Sequence, residues 1–200
     1  MANVNTPSGL SPVQYRNGNA WNGMTRLYHI PSTDGNAYWI GDLVGSVATS
    51  DANGISDVVR GVAGSPIRGV IAAIGTTPRG GPYLDPSNLS LTSAPATKTQ
   101  DYYVAVVDDP DVIFEIQELS TGTPGGSTSM SKNANFVFGL GTTPGVSGTT
   151  LDNATYATTS SLNLKVVGAV QRADNVPFTA SQKLLVLINN HEFSAGIAGI

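Results

Sequence analysis

The feature that most constrains the fold is the stretch from Asp101 to Leu119, DYYVAVVDDPDVIFEIQEL, the densest run of β-branched and aromatic residues in the chain. A turn at Asp108–Asp111 divides this stretch, because Pro110 fixes its own φ and supplies no hydrogen bond to a ladder. The neighbouring carboxylates accept hydrogen bonds from nearby backbone amides. The stretch is therefore predicted to form a β-hairpin at the centre of one β domain.

The two halves of the stretch differ in the polarity of their two faces. Successive side chains in a strand point to opposite faces, so each face can be followed along the sequence. Both faces of the first half are apolar, which predicts a central strand buried on both sides. One of these faces is predicted to carry Tyr102, Val104 and Val106. The second half becomes polar on one face at Glu115 and Gln117, which predicts a strand that is half exposed towards its end. Its buried face is predicted to carry Val112, Phe114 and Ile116.

Turn residues punctuate the rest of the chain, with 23 Gly and 12 Pro spread between short β-rich runs and no convincing helical period. Asn53-Gly54 predicts a type I′ turn that joins the runs 44–47 and 55–59 as a second hairpin. The run 38–44 is interrupted at Gly41, which predicts a bulge or a sharp bend. About seven to nine short strands predict an all-β fold, an antiparallel β sandwich or jelly-roll-like barrel, with a β-tulip as the alternative topology.

The chain is predicted to have three parts: an extended N-terminal arm over residues 1–23, a single β domain over 24–193 and a C-terminal tail over 194–200. Two tracts rich in turn residues predict long surface loops at 76–100 and 121–131, and the second is predicted to be mobile. There is no cysteine, so the fold depends on packing without disulfides.

The predicted arm is rich in Pro, Gly, Asn and Ser but also carries large apolar side chains. Such a segment is unable to build its own core, so these side chains need another surface to cover them. That surface belongs either to the parent domain or to a neighbouring subunit, and we expect a neighbouring copy or another protein rather than the parent domain alone. A loose terminus is the other alternative. The predicted partner-binding residues are Leu10, Val13, Tyr15 and Trp21.

The charge of the chain argues against a nucleic-acid partner. Its formal net charge is −4, its pI is near 4.9, and its 10 Lys and Arg residues are dispersed. Nucleic-acid binding needs clustered basic side chains that displace counterions. No apolar run reaches the ~20 residues that span a bilayer, and the opening residues lack a secretion signal. We therefore expect a soluble protein made in the cytoplasm, with no membrane partner.

The chemistry-bearing residues form no catalytic pattern. His29 and His191 lack the spacing of a metal-binding pair. The carboxylates of Asp108–Asp111 lack the remaining ligands of a calcium loop. Ser129 and Lys132 match S-x-x-K but lack its companion motifs. We predict that the protein is not an enzyme and has no catalytic residue, cofactor or metal site.

Segments spread over nearly the whole chain resemble structural proteins of tailed double-stranded DNA bacteriophages, specifically their head decoration or cement proteins. The Gly/Ser/Thr-rich part over 121–150 and the ending SAGIAGI depart from that pattern. The segments that carry the resemblance are ANVNTPSGLSPVQYRNGNAWNG, RLYHIPSTDGNAYWIGD, PATKTQDYYVAVVDDPDVIFEIQE, LDNATYATT, LKVVGAVQRADN and LVLINNHEF.

The resemblance implies a structural role without catalysis. Decoration proteins bind the outer surface of a capsid and cement neighbouring subunits of the major capsid protein, which stabilises the head. It therefore implies a protein made in the host cytoplasm and located on the exterior of the virion. The expected partners are the major capsid protein and further copies of the chain, as a homo-oligomer that is a dimer or a trimer.

Two other classes of function remain open. One is another virion component, either a tail or fibre adhesin or the capsid protein itself, although the sequence shows no long helix of the kind that spans a capsid protein. The other is an enzyme such as a β-barrel hydrolase, for which no set of acid, base and nucleophile is visible.

Overall fold

The computed structural model describes residues 2–77, 84, 91–141 and 145–194. Strands make up 41% of the structure and helix 2%, so the predicted all-β, sandwich-like fold with little helix is confirmed. A turn of 3-10 helix lies at Ser127–Ser129. The strands are β1 (Ser11–Tyr15), β2 (Arg26–Ile30), β3 (Tyr38–Trp39), β4 (Leu43–Ser50), β5 (Ser56–Arg60), β6 (Gly69–Gly75), β7 (Ser93–Ala94), β8 (Tyr102–Val107), β9 (Val112–Gln117), β10 (Asn133–Ala134), β11 (Phe136–Val137), β12 (Thr150–Leu151), β13 (Leu164–Ala169) and β14 (Lys183–Ile188).

One layer of the fold is a closed barrel in the order β2, β5, β4, β6 and β8. Its neighbouring strands are antiparallel except β2 and β5, which run parallel and share the register pair His29 and Asp57. Inward-facing side chains from all five strands fill the barrel, and the β3–β7 ribbon adds to the same cluster. The buried members are Tyr28, Ile30, Tyr38, Val44, Val58, Ile71, Ile74, Ala94, Tyr102, Val104 and Val106.

The other layer is an antiparallel sheet in the order β1, β9, β14, β13 and β10. Its inner face packs on the outside of the barrel, and the two layers share a second apolar cluster. The barrel side of this cluster includes Val70 and Val107, and the sheet side includes Phe114 and Val186. The layers therefore cannot separate without exposing this shared core to water.

The predicted hairpin at Asp108–Asp111 is wrong, because the strands on either side of this turn belong to different layers. β8 pairs with β2 and β6 in the barrel, whereas β9 pairs with β1 and β14 in the sheet. β8 is apolar on both faces because one face fills the barrel and Val107 on the other packs beneath the sheet. The faces predicted to be buried are confirmed, since Val104 and Phe114 are each 0% exposed. The half-exposed end predicted for β9 is wrong, because Gln117 is only 3% exposed and its Oε1 accepts the backbone N–H of Thr6 at 2.9 Å.

The second predicted hairpin is confirmed, but its turn differs from the prediction. β4 and β5 pair antiparallel, with Ser50 opposite Ser56. Gly54 has a φ of 81°, whereas Asn53 is not among the residues with positive φ, which a type I′ turn requires at both central positions. The Asp51 carboxylate accepts hydrogen bonds from the backbone N–H groups of Asn53 and Ile55, at 2.9 and 2.8 Å, and so holds the turn.

The interruption at Gly41 is a sharp bend that divides the predicted run into two strands. Gly41 has a φ of 93°, a conformation that favours glycine, and β3 and β4 lie in different sheets. Its carbonyl accepts a hydrogen bond from the backbone N–H of Leu10 at 2.9 Å. Gly9 packs so closely that a Cβ there would collide with the Gly41 carbonyl. The bend thereby fastens the N-terminal segment to the domain.

Part of the predicted N-terminal arm belongs to the sheet, because residues 11–15 form β1 and pair with β9. The predicted mobile loop at 121–131 is anchored: the backbone N–H of Gly125 donates to Glu118 Oε1 at 2.8 Å, and Gln182 Nε2 donates to the Gly125 carbonyl at 2.8 Å. Most of the predicted 76–100 loop before residue 91, and the predicted tail beyond Ser194, lie outside the described residues.

Candidate interaction surface

Side-chain amides hold the start of the chain against the sheet. Asn3 Nδ2 donates to the carbonyl oxygens of Val176 and Ala180, at 3.0 and 3.1 Å, and Asn3 Oδ1 accepts from the Val176 N–H at 2.7 Å. The backbone N–H of Thr6 donates to Gln117 Oε1 at 2.9 Å. These contacts fasten residues 3–6 to β9 and to the segment before β14, so the N-terminal segment is ordered on its own domain.

The outer edge of β1 is covered by the chain as it turns back on itself. The backbone N–H of Tyr15 donates to the Asn19 carbonyl at 2.7 Å, and that of Trp21 donates to the Val13 carbonyl at 3.2 Å. Ala20 forms an antiparallel bridge with Gln14. Residues 19–21 therefore satisfy hydrogen bonds that an edge strand otherwise leaves open to another chain.

The four predicted partner-binding residues are not equivalent in the structure. Leu10 is 2% exposed and belongs to the core shared by both layers, so its own domain covers it completely and the prediction of a partner contact is corrected. Tyr15 and Trp21 are half-buried against the same core. Val13 is 41% exposed. A partner contact through Val13, and through the open parts of Tyr15 and Trp21, stays a prediction.

Phe178 was missed by the sequence reasoning, and it is 48% exposed. Its φ is 64°, a left-handed conformation that is rare for a bulky residue and strained. The turn is held by a hydrogen bond from the Phe178 N–H to Gln182 Oε1 at 2.9 Å, and by one from Thr179 Oγ1 to the Val176 carbonyl at 2.8 Å. The surrounding structure therefore presents an aromatic ring to solvent from a fixed backbone.

Val4 lies close to this turn, because Asn3 bonds directly to residues 176–180. Val4 is 68% exposed. No periodicity marked Val4 or Phe178 in the sequence, since both lie in irregular segments. The only available signal was a large apolar residue between turn-forming neighbours.

The outer face of the sheet, turned away from the barrel, is partly apolar. Along β14 the buried and half-buried residues alternate strictly, so Leu185 and Leu187 point outwards. Beside them on β13, Val167 is 44% exposed and Gly168 leaves open space where a Cβ would be. We call Val4, Val13, Val167, Phe178, Leu185 and Leu187 the outer apolar set.

Charged side chains form a network beside the outer apolar set. Arg172 donates to both carboxylate oxygens of Glu115, at 2.7 and 2.8 Å, and also contacts Asp174 at 3.0 Å. Lys183 contacts Asp174 at 2.9 Å. Hydrogen bonds from Arg172 and then from Lys183 hold the pKa of Asp174 well below its usual range. Exposed pairs of this kind add little stability, but they fix the position of polar groups around an apolar surface.

The two histidines contact carboxylates and a backbone amide. His29 Nδ1 lies 2.6 Å from Asp57 Oδ1, and His29 Nε2 lies 3.5 Å from Asp101 Oδ2. His191 Nδ1 accepts the backbone N–H of Phe193 at 3.0 Å. Burial lowers the pKa of His191 to about 4, which keeps the ring neutral. Within the described ranges, neither ring is hydrogen-bonded to a hydroxyl side chain that a base would activate.

The described residues contain no group of three or more His, Cys, Asp or Glu side chains that could hold a metal ion. In the same part of the chain, no helix is long and apolar enough to span a membrane. Comparisons with known protein families, with curated proteins and with solved structures find no match to this chain.

Proposed function

We propose that the chain is a structural protein of a tailed bacteriophage virion that binds the outer surface of the capsid and cements neighbouring subunits of the major capsid protein. The observation that carries this proposal is the outer apolar set. It combines an exposed aromatic ring on a fixed turn with aliphatic side chains on a rigid sheet. A protein that adds strength to a shell needs such a surface rather than a cleft.

The chemistry of this surface fits a protein partner. Specific interfaces commonly have aromatic or aliphatic anchors at the centre and a polar rim around them. Phe178 supplies an aromatic anchor, and Arg172 and Lys183 supply the rim. The low content of basic residues suits contact with a shell and not with the packaged genome. Further copies of the chain, as a dimer or trimer, are the second proposed partner.

The first test is the copy number of the chain in purified virions of the phage whose genome encodes it. A cement protein is expected at a level close to that of the major capsid protein. A low copy number would instead indicate a tail or fibre adhesin. Absence from the particle would favour an enzyme. Either of these last two results contradicts the proposal.

The second test measures binding of purified protein to heads that lack it. Phe178→Gly removes the aromatic anchor and suits the left-handed backbone, so the variant is expected to fold normally and to bind about 30-fold more weakly. The matched control is Val62→Gly, because Val62 is 62% exposed on the turn after β5, outside the outer apolar set. Equal binding of both variants would exclude Phe178 from the interface.

A further inference from the structure

The sequence contains three Asn-Gly pairs, at Asn17, Asn22 and Asn53, and all three asparagines are exposed. In such a pair the backbone nitrogen of the glycine attacks the side-chain amide carbon of the asparagine. Glycine favours this reaction because it has no side chain to hinder the approach. The sequence alone treats the three pairs as equivalent, but their hydrogen bonds differ.

The attacking nitrogen is occupied in two of the pairs. The backbone N–H of Gly18 donates to the Tyr15 carbonyl at 2.9 Å, and that of Gly54 donates to the Asp51 carbonyl at 3.1 Å. Attack by either nitrogen requires this hydrogen bond to break first. The N–H of Gly23 has no acceptor among the residues that the structure describes. The nitrogen that would attack Asn22 is therefore available.

The side-chain carbonyl of Asn22 is held by two donors. Asn22 Oδ1 accepts the Tyr15 hydroxyl at 2.6 Å and the backbone N–H of Met24 at 3.1 Å. The bond to Met24 closes a ring that contains both Cγ of Asn22 and the nitrogen of Gly23, so it keeps the two reacting atoms together. When Gly23 attacks, negative charge develops on Oδ1, where both donors already point. The same contacts hold the reactants and stabilise the charge of the intermediate.

We propose that Asn22 is a site of self-modification, at which the chain converts its own asparagine to aspartate and isoaspartate. A bond forms between Gly23 N and Asn22 Cγ, the bond from Cγ to Nδ2 breaks, and ammonia leaves with the proton lost by Gly23 N. The product is a cyclic imide. Water then opens this ring at either carbonyl, giving aspartate or isoaspartate, so no oxidant, reductant or cofactor is needed.

Modification at Asn22 has a local structural consequence. Asn22 follows Trp21, whose backbone N–H covers the outer edge of β1, and its own Oδ1 ties the returning segment to Tyr15. Isoaspartate adds one backbone atom between residues 22 and 23. The returning segment then fits β1 less well, and the edge of the sheet becomes available to other chains.

The test follows all three asparagines in the folded protein during incubation at mildly alkaline pH, by peptide mass spectrometry with separation of aspartate from isoaspartate. Asn22 is expected to react about two- to tenfold faster than Asn17 and Asn53. This range corresponds to the free energy of the one exposed hydrogen bond that must break before the nitrogen of Gly18 or Gly54 attacks. In concentrated urea the three rates are expected to converge, because the difference comes from the fold.

Tyr15→Phe tests the role of the hydroxyl while keeping the aromatic ring in place. This variant is expected to slow the reaction of Asn22 by about two- to tenfold and to leave Asn17 and Asn53 unchanged. The two other pairs thus serve as controls for folding within the same molecule. The proposal is overturned if Asn22 reacts no faster than the other two in the folded protein, or if its rate is unaffected by Tyr15→Phe.

Discussion

Asp42 and His191 are both fully buried, and burial shifts their pKa values in opposite directions. Burial raises the pKa of Asp42 to about 6, although the Ser147 and Thr149 hydroxyls and the Trp39 N–H donate to its carboxylate. Burial lowers the pKa of His191 to about 4. In both cases the charged form is disfavoured. At Asp42 the hydrogen bonds therefore offset only part of the effect of burial on the pKa.

The two sites have opposite effects on stability as pH changes. The folded protein holds the Asp42 proton more tightly than the unfolded chain does, so this site loses stability as pH rises from about 4 to about 6. The folded protein binds the His191 proton less tightly, so this site gains stability as pH rises over the same range. Each shift corresponds to roughly 3 kcal/mol. We expect these contributions largely to cancel in the native protein.

The effects of Asp42 and His191 cancel only if the whole domain unfolds in one transition. A substitution at Phe114 tests whether it does. Phe114 is 0% exposed in the core that joins the two layers. Phe114→Ala is expected to lower the free energy of unfolding by about 3–5 kcal/mol, through lost burial and a residual cavity. Urea unfolding followed by far-ultraviolet circular dichroism and by tryptophan fluorescence should give coincident transitions. Two separate transitions would show that the layers unfold independently.

Asp42→Asn should leave the contribution of His191 uncompensated. The amide retains an acceptor for the Trp39 N–H, and its NH₂ group is able to donate to the hydroxyl oxygens of Ser147 and Thr149. The free energy of unfolding of this variant is expected to rise by about 2 kcal/mol between pH 4 and pH 6. The native protein should change by less than about 1 kcal/mol. Parallel profiles for the two proteins would mean that Asp42 is ionised throughout this range.

His191→Gln should have the reverse effect, because it removes the histidine titration and leaves that of Asp42. The free energy of unfolding is expected to fall by about 2 kcal/mol as pH rises from 4 to 6. The double variant with Asp42→Asn should again be flat, although less stable at every pH. A double variant that retains a slope would identify a third titrating group as its source.

The sequence predicted the class of fold and several faces, but it failed where the outcome depended on long-range pairing. Alternation placed Val104 and Phe114 correctly, because a strand buried on one or both faces leaves a local pattern. The Asp108–Asp111 turn was read as a hairpin because a tight turn between strands looks the same whether or not they pair. Whether β8 and β9 pair with each other depends on distant strands, because β8 pairs with β2 and β9 pairs with β14.

The candidate surface was predictable to a smaller extent. Leu10 and Val13 are both apolar residues in a Pro- and Gly-rich segment, and nothing local distinguishes the buried residue from the exposed one. The close packing of Gly9 on Gly41 makes that distinction, across about 30 residues of sequence. The conformation of Phe178 similarly depends on Gln182 and on Asn3 from the far end of the chain.

Substitutions of Phe178 are expected to give the smallest change in stability. Phe178 differs from Asp42 and His191 because its strain lies in the backbone of an exposed turn. A Cβ in the left-handed conformation costs about 1–2 kcal/mol, and glycine avoids this cost but loses more entropy on folding. Phe178→Gly is therefore expected to be about 1 kcal/mol more stable than Phe178→Ala. Because no titrating group is involved, this difference should be the same at pH 4 and pH 6, where the Asp42 and His191 variants diverge most. Urea unfolding of the two variants at both pH values measures it, and a Phe178→Ala variant as stable as Phe178→Gly would show that the turn relaxes out of its strained conformation.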